Sequence, residues 1–305
     1  MPTTPIFRCG TIAILGRPNV GKSTLLNTIL TEKVSIVTPK PQTTRQRILG
    51  IVPGPGYQAI FIDTPGYHQF KKKLNQAMVE AALSAIGDAD LVLVLVDASD
   101  TTDEFSDPHG AGVLVRRCEE IGRPVFVMLN KIDRVRDKKA LLPIIERWAA
   151  FSPAVKNVIP LSAAKGSGIS ELLVEIYGYL PEGPALYPED DLTDQTEREI
   201  TAEIVRETCI LCLREELPYA TAVTIERFSE TAARRSISGI IWVERDSQKA
   251  IVIGKRGSMI RHIGQTAREQ LIARFGVETQ LFLEVKVHPG WTDDPASLRE
   301  LGYKP

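Results

Sequence analysis

The sequence predicts two successive domains: an α/β domain whose mostly parallel sheet has one antiparallel edge strand and helices on both faces, then a smaller α+β domain. At about 100–200 residues per domain, a chain of 305 residues is long enough for two cores. Residues 1–180 alternate short apolar runs with helical patterns, which is typical of repeated βαβ units. A Pro-rich acidic stretch at 181–195 then predicts a linker, and residues 196–305 are predicted to form the second domain.

Composition excludes several classes of protein. The chain is 43% apolar and 25% charged with a formal net charge of −1, which is typical of globular domains and not of disordered or fibrous chains. Its longest purely apolar run, Leu91–Val96, is far shorter than the roughly 18 residues of a membrane-spanning helix. Four cysteines and an N-terminus without a secretory pattern favour a reducing, cytoplasmic location.

The order of the apolar runs justifies each domain. A run at 48–52 beside the Pro53–Gly56 turn predicts a hairpin, and hence the antiparallel edge strand. The parallel strands of the first domain are predicted at Thr11–Leu15, Ala59–Asp63, Leu91–Asp97, Val125–Asn130 and Asn157–Ser162. The second domain is predicted as α-β-β-α-α-β, with helices at Thr196–Leu213, around Gly254–Ile263 and at Gln265–Phe275, and strands at Ala222–Glu226, Ser236–Arg245 and Gln280–Val287.

Residues 16–23 match the phosphate-binding pattern G-x-x-x-x-G-K-[ST] between a predicted strand and a predicted helix, which is the context that the pattern requires. The glycines let backbone N–H groups surround a polyphosphate at a helix N-terminus. Lys22 is expected to reach the β- and γ-phosphates, and Ser23 to bind Mg²⁺. The first domain is therefore predicted to be a P-loop nucleoside triphosphatase. The phosphate-binding residues predicted in this loop are Gly16, Arg17, Pro18, Asn19, Val20, Gly21, Lys22 and Ser23.

A second phosphate-side motif, Asp63-Thr64-Pro65-Gly66, ends the next parallel strand. The Asp63 carboxylate can hold Mg²⁺ through water, and Gly66 can present its backbone N–H to a γ-phosphate without a Cβ in the way. The motif is weak alone, but its position 41 residues after Lys22 makes it specific. All four residues are predicted to line the phosphates.

A base-recognition motif, Asn130-Lys131-Ile132-Asp133, follows the strand at 125–129. The Asp133 carboxylate only accepts hydrogen bonds, so it suits the adjacent N1–H and N2 amino donors of guanine and disfavours adenine. Asn130 is expected to link the base to the loops, and the Lys131 stem to lie over the purine ring. The nucleotide is therefore predicted to be GTP or GDP, with Mg²⁺ as the cofactor. A backbone N–H to guanine O6 is expected from Ser162, Ala163 or Ala164 after the last strand.

The polar segment between the two phosphate motifs is predicted to be a switch, built from Gln42, Thr43, Thr44 and Arg45. A threonine hydroxyl here can bind Mg²⁺ while the γ-phosphate is present. Thr44 is the first choice and Thr43 the second, because sequence alone does not separate neighbours. Position 67, where many GTPases have a water-orienting glutamine, is a tyrosine, which predicts slow intrinsic hydrolysis. The next residue, a histidine, is either a general base or, with more weight, a solvent-facing loop residue.

The second domain has its own glycine-rich loop at 254–257. In K-homology modules a G-x-x-G loop lets a nucleic-acid backbone approach closely. Residues 249–274 hold six basic residues against the single acidic Glu269, although residues 190–305 as a whole have 16 basic against 19 acidic residues, a net charge of −3. The loop is expected to follow an apolar strand end at 251–253 and to precede a helix. RNA binding is predicted for Gly254, Lys255, Arg256, Gly257 and Arg261.

Three other features are less informative. Cys209 and Cys212 form C-x-x-C, but their helical pattern favours buried core thiols over a metal or redox site. Lys71–Lys73 follows the second phosphate motif and is either a solvated run or a contact to membrane or RNA. The polar insertion Thr101–Gly112 has no assigned function.

Taken together, these motifs resemble the Era family of bacterial GTPases, in the TrmE-Era group of translation-factor-class GTPases. The resemblance covers nearly the whole chain. The nucleotide motifs define only the superfamily, whereas the family is indicated by the linker at 180–190, by Leu217-Pro218-Tyr219 and by the loop Ile253–Gly257.

The resemblance implies a type II K-homology fold for the second domain and binding to small-subunit (16S) ribosomal RNA near its 3′ end. It also implies a role in maturation of the small ribosomal subunit, RNA rather than DNA as partner, and loose peripheral association with the cytoplasmic face of the cell membrane. Two other functions stay open. One is a nucleotide-gated RNA chaperone in which hydrolysis is incidental, and the other is a GTPase acting in tRNA modification or membrane signalling.

Overall fold

The computed structural model describes residues 7–67, 73–100, 102–231 and 234–303, which divide into two compact units. Within these ranges, the amino-terminal unit comprises residues 7–35, 44–67 and 78–194. The carboxy-terminal unit comprises residues 36–43, 73–77 and those from 195 onward. Two short segments of the predicted first domain therefore pack with the carboxy-terminal unit.

The amino-terminal unit is built on one six-stranded sheet in the order β2-β3-β1-β4-β5-β6. The strands are β1 (Arg8–Gly16), β2 (Ile48–Gly54), β3 (Tyr57–Asp63), β4 (Leu91–Asp97), β5 (Val125–Asn130) and β6 (Val155–Pro160). Strand β2 pairs antiparallel with β3 at the edge, and every other neighbouring pair is parallel. The predicted fold class of this domain is therefore confirmed.

Helices cover both faces of this sheet. They are α1 (Lys22–Leu30), α2 (Lys73–Asp88), α3 (Ala111–Ile121), α4 (Leu141–Ala149) and α5 (Ile169–Tyr177). Ile12 and Ile14 of β1 pack in one core cluster with α1 and α5, while Ala13 and Leu15 pack in the other cluster with α2 and α3. Because both faces of the sheet are buried, the central strands are apolar without alternation. The carboxyl ends of the parallel strands meet at one edge, which is where ligands bind in sheets of this kind.

The linker is anchored to the amino-terminal unit by hydrogen bonds. The buried side chain of Gln58 accepts from the backbone N–H groups of Leu186 (2.9 Å) and Tyr187 (3.0 Å) and donates to the Tyr187 carbonyl (2.9 Å). The N–H of Ile51 donates to the Leu192 carbonyl (2.9 Å). The predicted linker is thus attached along β2 and β3 rather than free.

The carboxy-terminal unit follows the predicted order α-β-β-α-α-β and adds a short terminal helix. Its elements are α6 (Glu197–Cys212), β7 (Ala222–Glu230), β8 (Arg234–Val243), α7 (Asp246–Ile253), α8 (Ser258–Phe275), β9 (Glu278–Val287) and α9 (Pro295–Glu300). Strand β8 is central, antiparallel to β7 and parallel to β9. Thr196 and Glu199 begin α6 with reciprocal hydrogen bonds to each other's backbone N–H groups. Across the described part of the chain, no helix combines the length and apolarity needed to cross a bilayer.

Two local predictions around the glycine-rich loop were wrong. Residues 251–253 end α7 and are not a strand, and the helices predicted around Gly254–Ile263 and at Gln265–Phe275 are one helix, α8. The β-branched run favoured a strand by propensity. However, Gln248 begins α7 by accepting the backbone N–H groups of Glu244 and Arg245, and Val252 is buried in the core. Capping and packing therefore override propensity here.

Candidate nucleotide site and nucleic-acid loop

The phosphate loop joins the end of β1 to the start of α1 through backbone positions that only glycine can occupy. Gly16 has φ 147°, and a Cβ there would lie 2.6 Å from the Leu95 carbonyl oxygen. Gly21 has φ 104°, and its Cβ would collide with the Asn130 side chain. The loop is thus packed tightly against the ends of β4 and β5, and these contacts fix its backbone path.

Lys22 lies buried inside this loop. Its Nζ donates to the carbonyls of Gly16 (3.1 Å) and Arg17 (3.0 Å). Burial lowers the pKa of Lys22 to about 8, against a smaller opposing effect of Asp63. The ammonium is therefore held by the backbone of the loop that it is predicted to serve.

Three of the predicted metal ligands converge at the start of α1. The Ser23 hydroxyl lies 2.8 Å from Thr44 Oγ1 and donates to Asp63 Oδ2 (2.6 Å), which also accepts from Ser35 Oγ (2.8 Å). Asp63 is 0% exposed, and its Oδ1 has no hydrogen-bond partner among the described residues. Burial raises the pKa of Asp63, although Lys22 and the hydroxyls oppose this effect. A buried carboxylate oxygen left unpaired beside two hydroxyls fits a site for Mg²⁺.

The two switch threonines are separated by the geometry. Thr44 is buried beside Ser23, whereas Thr43 Oγ1 lies 2.7 Å from Thr38 Oγ1 and donates to the Lys40 carbonyl (2.8 Å). The structure thus brings the first-choice metal ligand to the site and not the second. Of their neighbours in the predicted switch, Gln42 has a left-handed φ of 61° and Arg45 is buried.

The second phosphate motif lies directly against the loop. A Cβ on Gly66 would be 2.9 Å from the Pro18 backbone, and the Tyr67 N–H donates to the Gly16 carbonyl (3.0 Å). Thr64 Oγ1 donates to the Ile14 carbonyl (2.7 Å). The Tyr67 ring packs in the core cluster of α2 and α3, so this side chain contributes to core packing. The following histidine at 68 lies outside the described residues, so both of its predicted roles stay predictions.

The guanine-side residues are brought together in pairs. Asn130 Oδ1 accepts from the Ala163 N–H (2.9 Å), and Asn130 Nδ2 donates to the Val20 carbonyl of the phosphate loop (2.7 Å). Asp133 Oδ1 accepts from Ser162 Oγ (2.5 Å), a hydrogen bond that lowers the pKa of Asp133. Ala164 lies in the same short turn, Ala163–Lys165. The base-recognition motif and the last strand end are therefore held in one cluster with the phosphate loop.

Sequence reasoning missed the partner of Lys131. Its Nζ donates to Asp97 Oδ2 (2.6 Å) and to the Asn19 carbonyl (2.7 Å). Although burial acts in the opposite direction, hydrogen bonds from Lys131 and Ser99 lower the pKa of Asp97. Asp97 ends β4 and pairs with Asn130 across the sheet. The sequence does place an acidic residue, Asp97, at the end of a predicted strand. It does not show which strand lies beside that one, and so it does not identify Lys131 as the partner.

The polar insertion also contributes to the site. Arg17 Nη1 lies 3.1 Å from Asp107 Oδ2 and 3.4 Å from Glu104 Oε1. Glu104 is buried, and its other carboxylate oxygen accepts the Ala111 N–H at the start of α3 (2.7 Å). The described part of the insertion, 102–112, thus anchors the first variable residue of the phosphate loop.

In the carboxy-terminal unit, the glycine-rich loop lies between α7 and α8. Gly254 has φ 73°, and a Cβ there would be 2.8 Å from the Met259 backbone nitrogen; Gly257 has φ 75°, but its Cβ would meet nothing within 4 Å. Lys255 and Arg256 are exposed. The Arg261 guanidinium donates to the carbonyls of Arg256 (2.7 Å) and Gly257 (3.2 Å), so it braces the loop.

The C-x-x-C pair lies in α6. Cys209 is fully buried in the core of the carboxy-terminal unit, and burial raises the pKa of its thiol to about 12. Both cysteines are free thiols. In the described ranges, no group of three or more His, Cys, Asp and Glu residues is arranged to hold a metal ion. The contacts of Cys209 are those of a core residue.

Two protein families match separate parts of the chain. A family described as 50S ribosome-binding GTPase matches residues 11–131, and a KH domain family matches residues 216–292. A GTPase Era from Syntrophus aciditrophicus is 45% identical over 300 residues, covering 98% of this chain and 96% of its own length. Another from Geobacter sp. strain M21 is 46% identical over 304 residues, covering 98% of each chain.

Solved structures match over nearly the same length. A crystal structure of Era in complex with MgGDPNP and nucleotides 1506–1542 of 16S ribosomal RNA superposes with a TM-score of 0.92 at 40% identity, covering 98% of this chain and 100% of that one. A tyrosine-to-alanine variant of Aquifex aeolicus Era bound to GDP·AlF4⁻ gives the same TM-score, identity and coverage. With a P-loop GTPase unit, a KH unit and relatives of this similarity over its full length, the chain belongs to the Era family of GTPases.

Proposed function

We propose that this chain is a GTP-hydrolysing switch that binds small-subunit ribosomal RNA near its 3′ end and acts in maturation of the small ribosomal subunit. The observation that carries the proposal is the convergence of Ser23 and Thr44 on the unpaired carboxylate of Asp63. A hydroxyl from the switch segment at this point couples the position of that segment to the nucleotide.

Each motif has a separate task in nucleotide binding. The loop N–H groups and Lys22 bind the phosphates, and the Asp133 carboxylate, ionised at neutral pH, accepts from the guanine edge. Asn130 fastens the guanine pocket to the phosphate loop through its bond to the Val20 carbonyl. The proposed nucleotide residues are those predicted from the sequence at 16–23, 63–66, 130, 131, 133 and 162–164, to which Asp97 is added as the partner of Lys131.

Mg²⁺ would be held by Ser23, by Thr44 and, through water, by Asp63, and when bound it neutralises charge on the β- and γ-phosphates. Gly66 lies against the loop and can present its N–H to the terminal phosphate. Tyr67 has no carboxamide, which is the group that orients water in many GTPases, and its side chain is buried in the core cluster of α2 and α3. Slow intrinsic hydrolysis follows, with the attacking water oriented by backbone, by another switch residue or by a partner.

RNA binding is proposed for the loop at 254–257. The structure of a relative at 40% identity contains nucleotides 1506–1542 of 16S ribosomal RNA. In this chain, Gly257 leaves open space where a phosphate backbone can approach, and the exposed Lys255 and Arg256 flank it. Arg261 supports the loop backbone through its two carbonyl contacts.

Salt-dependent RNA binding tests this assignment. The probe is an RNA covering nucleotides 1506–1542, with a shuffled RNA of the same composition beside it. Replacing Lys255→Ala and Arg256→Ala together should weaken binding and reduce the salt slope by about 1.4, because each phosphate contact to a single strand contributes about 0.7. The matched control, Arg136→Ala with Lys139→Ala, removes the same charge from exposed positions of the amino-terminal unit and should change neither. An unchanged slope in the loop variant would place the RNA surface elsewhere.

Single-turnover hydrolysis with and without RNA separates the alternatives. A rate that RNA does not change, together with strong GTP-dependent RNA binding, favours a chaperone in which hydrolysis is incidental. Loss of function on charge reversal at Lys71–Lys73, with none at Lys255 or Arg256, favours a role in tRNA modification or membrane signalling. The proposal predicts the opposite pattern for the two charge sites.

We also propose a cytoplasmic location with loose peripheral association with the cell membrane, as the family resemblance implies. Of the three consecutive lysines at 71–73 that could contact anionic lipid, only Lys73 lies among the described residues. Flotation of the purified protein with anionic vesicles tests this association, and recovery entirely in the unbound fraction would contradict it.

A further inference from the structure

The segment 36–43 carries information that the motifs did not reveal. It lies between the phosphate loop and the proposed metal ligand Thr44, yet it packs with the carboxy-terminal unit. The chain leaves the amino-terminal unit after Ser35 and returns to it at Thr44. A contact that fixes the end of this segment at Thr43 therefore lies one peptide bond from the proposed metal ligand Thr44.

Helix α6 holds the segment by three kinds of hydrogen bond. The Val37 N–H donates to the carboxylate of the buried Glu207 (3.1 Å), and Lys40 Nζ donates to the carbonyls of Ile210 (2.6 Å) and Leu213 (2.5 Å). The last carbonyls of a helix lack partners within the helix, and the helix dipole favours a cation there. Lys40 therefore caps α6, and α6 in turn anchors the segment.

The third contact is made by Arg206, whose side chain is 1% exposed. Its Nε and Nη2 donate to the two carboxylate oxygens of Glu203 (2.7 and 2.6 Å), and Nη2 also donates to the Thr43 carbonyl (2.5 Å). A buried guanidinium in a forked ion pair has little freedom to turn. Arg206 thus presents a fixed donor to the carbonyl of Thr43.

That carbonyl is not an arbitrary acceptor. The C=O of Thr43 and the N–H of Thr44 belong to one rigid peptide plane, so a hydrogen bond that orients the carbonyl also orients the backbone of Thr44. The Thr44 hydroxyl lies 2.8 Å from Ser23 Oγ and 3.5 Å from Asp63 Oδ2. Arg206 and the metal ligands therefore act on opposite ends of the same short piece of backbone.

We infer that Arg206 of the carboxy-terminal unit is a positioning residue for GTP hydrolysis, because it fixes the Thr43 carbonyl and thereby the metal ligand Thr44. The inference rests on the proposed role of Thr44. Helix α6 lies outside the KH family match at 216–292 but in the same compact unit, so this contact gives that unit a means of setting the rate. If the contacts of α6 strengthen the binding of a nucleotide that engages Thr44, that nucleotide stabilises the same contacts by an equal free energy.

The test replaces Arg206→Met together with Glu203→Gln, so that no charge is left half-buried and the guanidinium donor to Thr43 is removed. The matched control is Arg235→Met with Glu230→Gln. Arg235 is also buried in the same unit, with a side chain 7% exposed and ion pairs of 2.7 Å to Glu230 and 2.9 Å to Glu197. Equal thermal stability of the two double variants shows that each has lost a comparable buried pair.

Two readouts separate positioning from general damage. In the Arg206 variant, kcat for GTP should fall about 10- to 100-fold, because the lost contact is a charge-assisted hydrogen bond to the switch. KM should rise about fivefold, since slow hydrolysis makes KM follow the affinity for the triphosphate. Without turnover, its affinity for a fluorescent GDPNP in Mg²⁺ should fall at least about fivefold while its affinity for the matching GDP stays unchanged. The Arg206→Lys variant, which keeps one donor, should recover part of both effects.

The same two decreases in the control variant, or wild-type values in the Arg206 variant, would overturn the inference. If both Arg206 variants fail to fold, Lys40→Ala decides, because it frees the same segment from α6 at a partly exposed side chain. The Thr44→Ala variant separates the role of Arg206 from the role of Thr44 as a metal ligand. If it abolishes the Mg²⁺-dependent preference for GDPNP and the Arg206 variant does not, only the inference fails. If Thr44→Ala itself has no effect, the proposed metal ligand fails.

Discussion

The two glycine-rich loops of this chain differ in how they are enclosed. Both precede a helix, and both contain glycines with positive φ. In the phosphate loop, Gly16 and Gly21 are packed against neighbouring residues and Lys22 is buried. In the loop at 254–257, by contrast, Gly257 faces open space and the two basic residues are exposed. An enclosed loop suits a small ligand of fixed shape, whereas an open one suits a polymer that passes across it.

The largest expected effect comes from the enclosed loop. Lys22→Ala should reduce GTP turnover by about 10³-fold, because it removes a preorganised cation from a water-poor site. Phosphate release under saturating GTP measures this, with circular dichroism to show that the fold is retained. Turnover equal to wild type would remove the loop from the reaction.

The guanine pocket should respond by changing its preference rather than its rate. Asp133→Asn replaces an acceptor with a group that can donate, so the ratio of affinities for guanine and xanthine nucleotides should shift by at least about 10² toward xanthine. Competition binding of GDP and xanthosine diphosphate measures the ratio. An unaltered preference would mean that another residue contacts the base edge.

The two glycines of the open loop provide a matched pair. Gly254→Ala should destabilise the carboxy-terminal unit by about 1–3 kcal/mol, since its φ of 73° and ψ of 171° suit only glycine and its Cβ would strike the Met259 backbone. Gly257→Ala should cost about 1–2 kcal/mol for its left-handed backbone alone. Denaturant unfolding compares the two variants. RNA affinity should nevertheless fall in the Gly257 variant, because the new methyl group occupies the open face. A Gly257 variant less stable than the Gly254 variant, or unchanged RNA affinity, would contradict the geometry.

The smallest effect is a dependence on pH. Burial lowers the pKa of Lys22 to about 8, and a bound polyphosphate favours the charged ammonium. Binding above pH 8 therefore takes up a proton, and affinity for GDP should be about tenfold weaker at pH 9 than at pH 7. Calorimetric titration across this range measures the change. In the Lys22→Arg variant, whose guanidinium does not titrate, the affinity for GDP should change little between pH 7 and pH 9. The same pH dependence in the variant and in the wild type would assign the proton to another group.

Local pattern predicted the parts of the site that one stretch of chain defines. Lys22 and Asp133 follow buried strands and Asp63 ends one, and a parallel sheet brings such strand ends to one edge. The pairing of Asp97 with Lys131 depends on which strand is the neighbour, and local spacing does not encode that. The β-branched residues at 251–253 are helical because capping and core packing outweigh propensity.

The position of segment 36–43 was beyond prediction for a different reason. Its contacts to Glu207 and Arg206 join residues about 160 to 170 positions apart in the chain. Arg206 itself lies in a helical pattern in which an arginine is ordinarily solvated, and only the packing shows that it is buried. Residues that link a switch segment to another unit therefore carry no local signal.

The affinity for RNA in the two nucleotide states decides whether the nucleotide controls the carboxy-terminal unit. The measurement is the dissociation constant for the RNA of nucleotides 1506–1542, at one salt concentration, with protein saturated by Mg²⁺ and either GDPNP or GDP. A switch whose terminal phosphate controls the RNA-binding unit should bind at least about fivefold more tightly with GDPNP. Equal dissociation constants in the two states would contradict it.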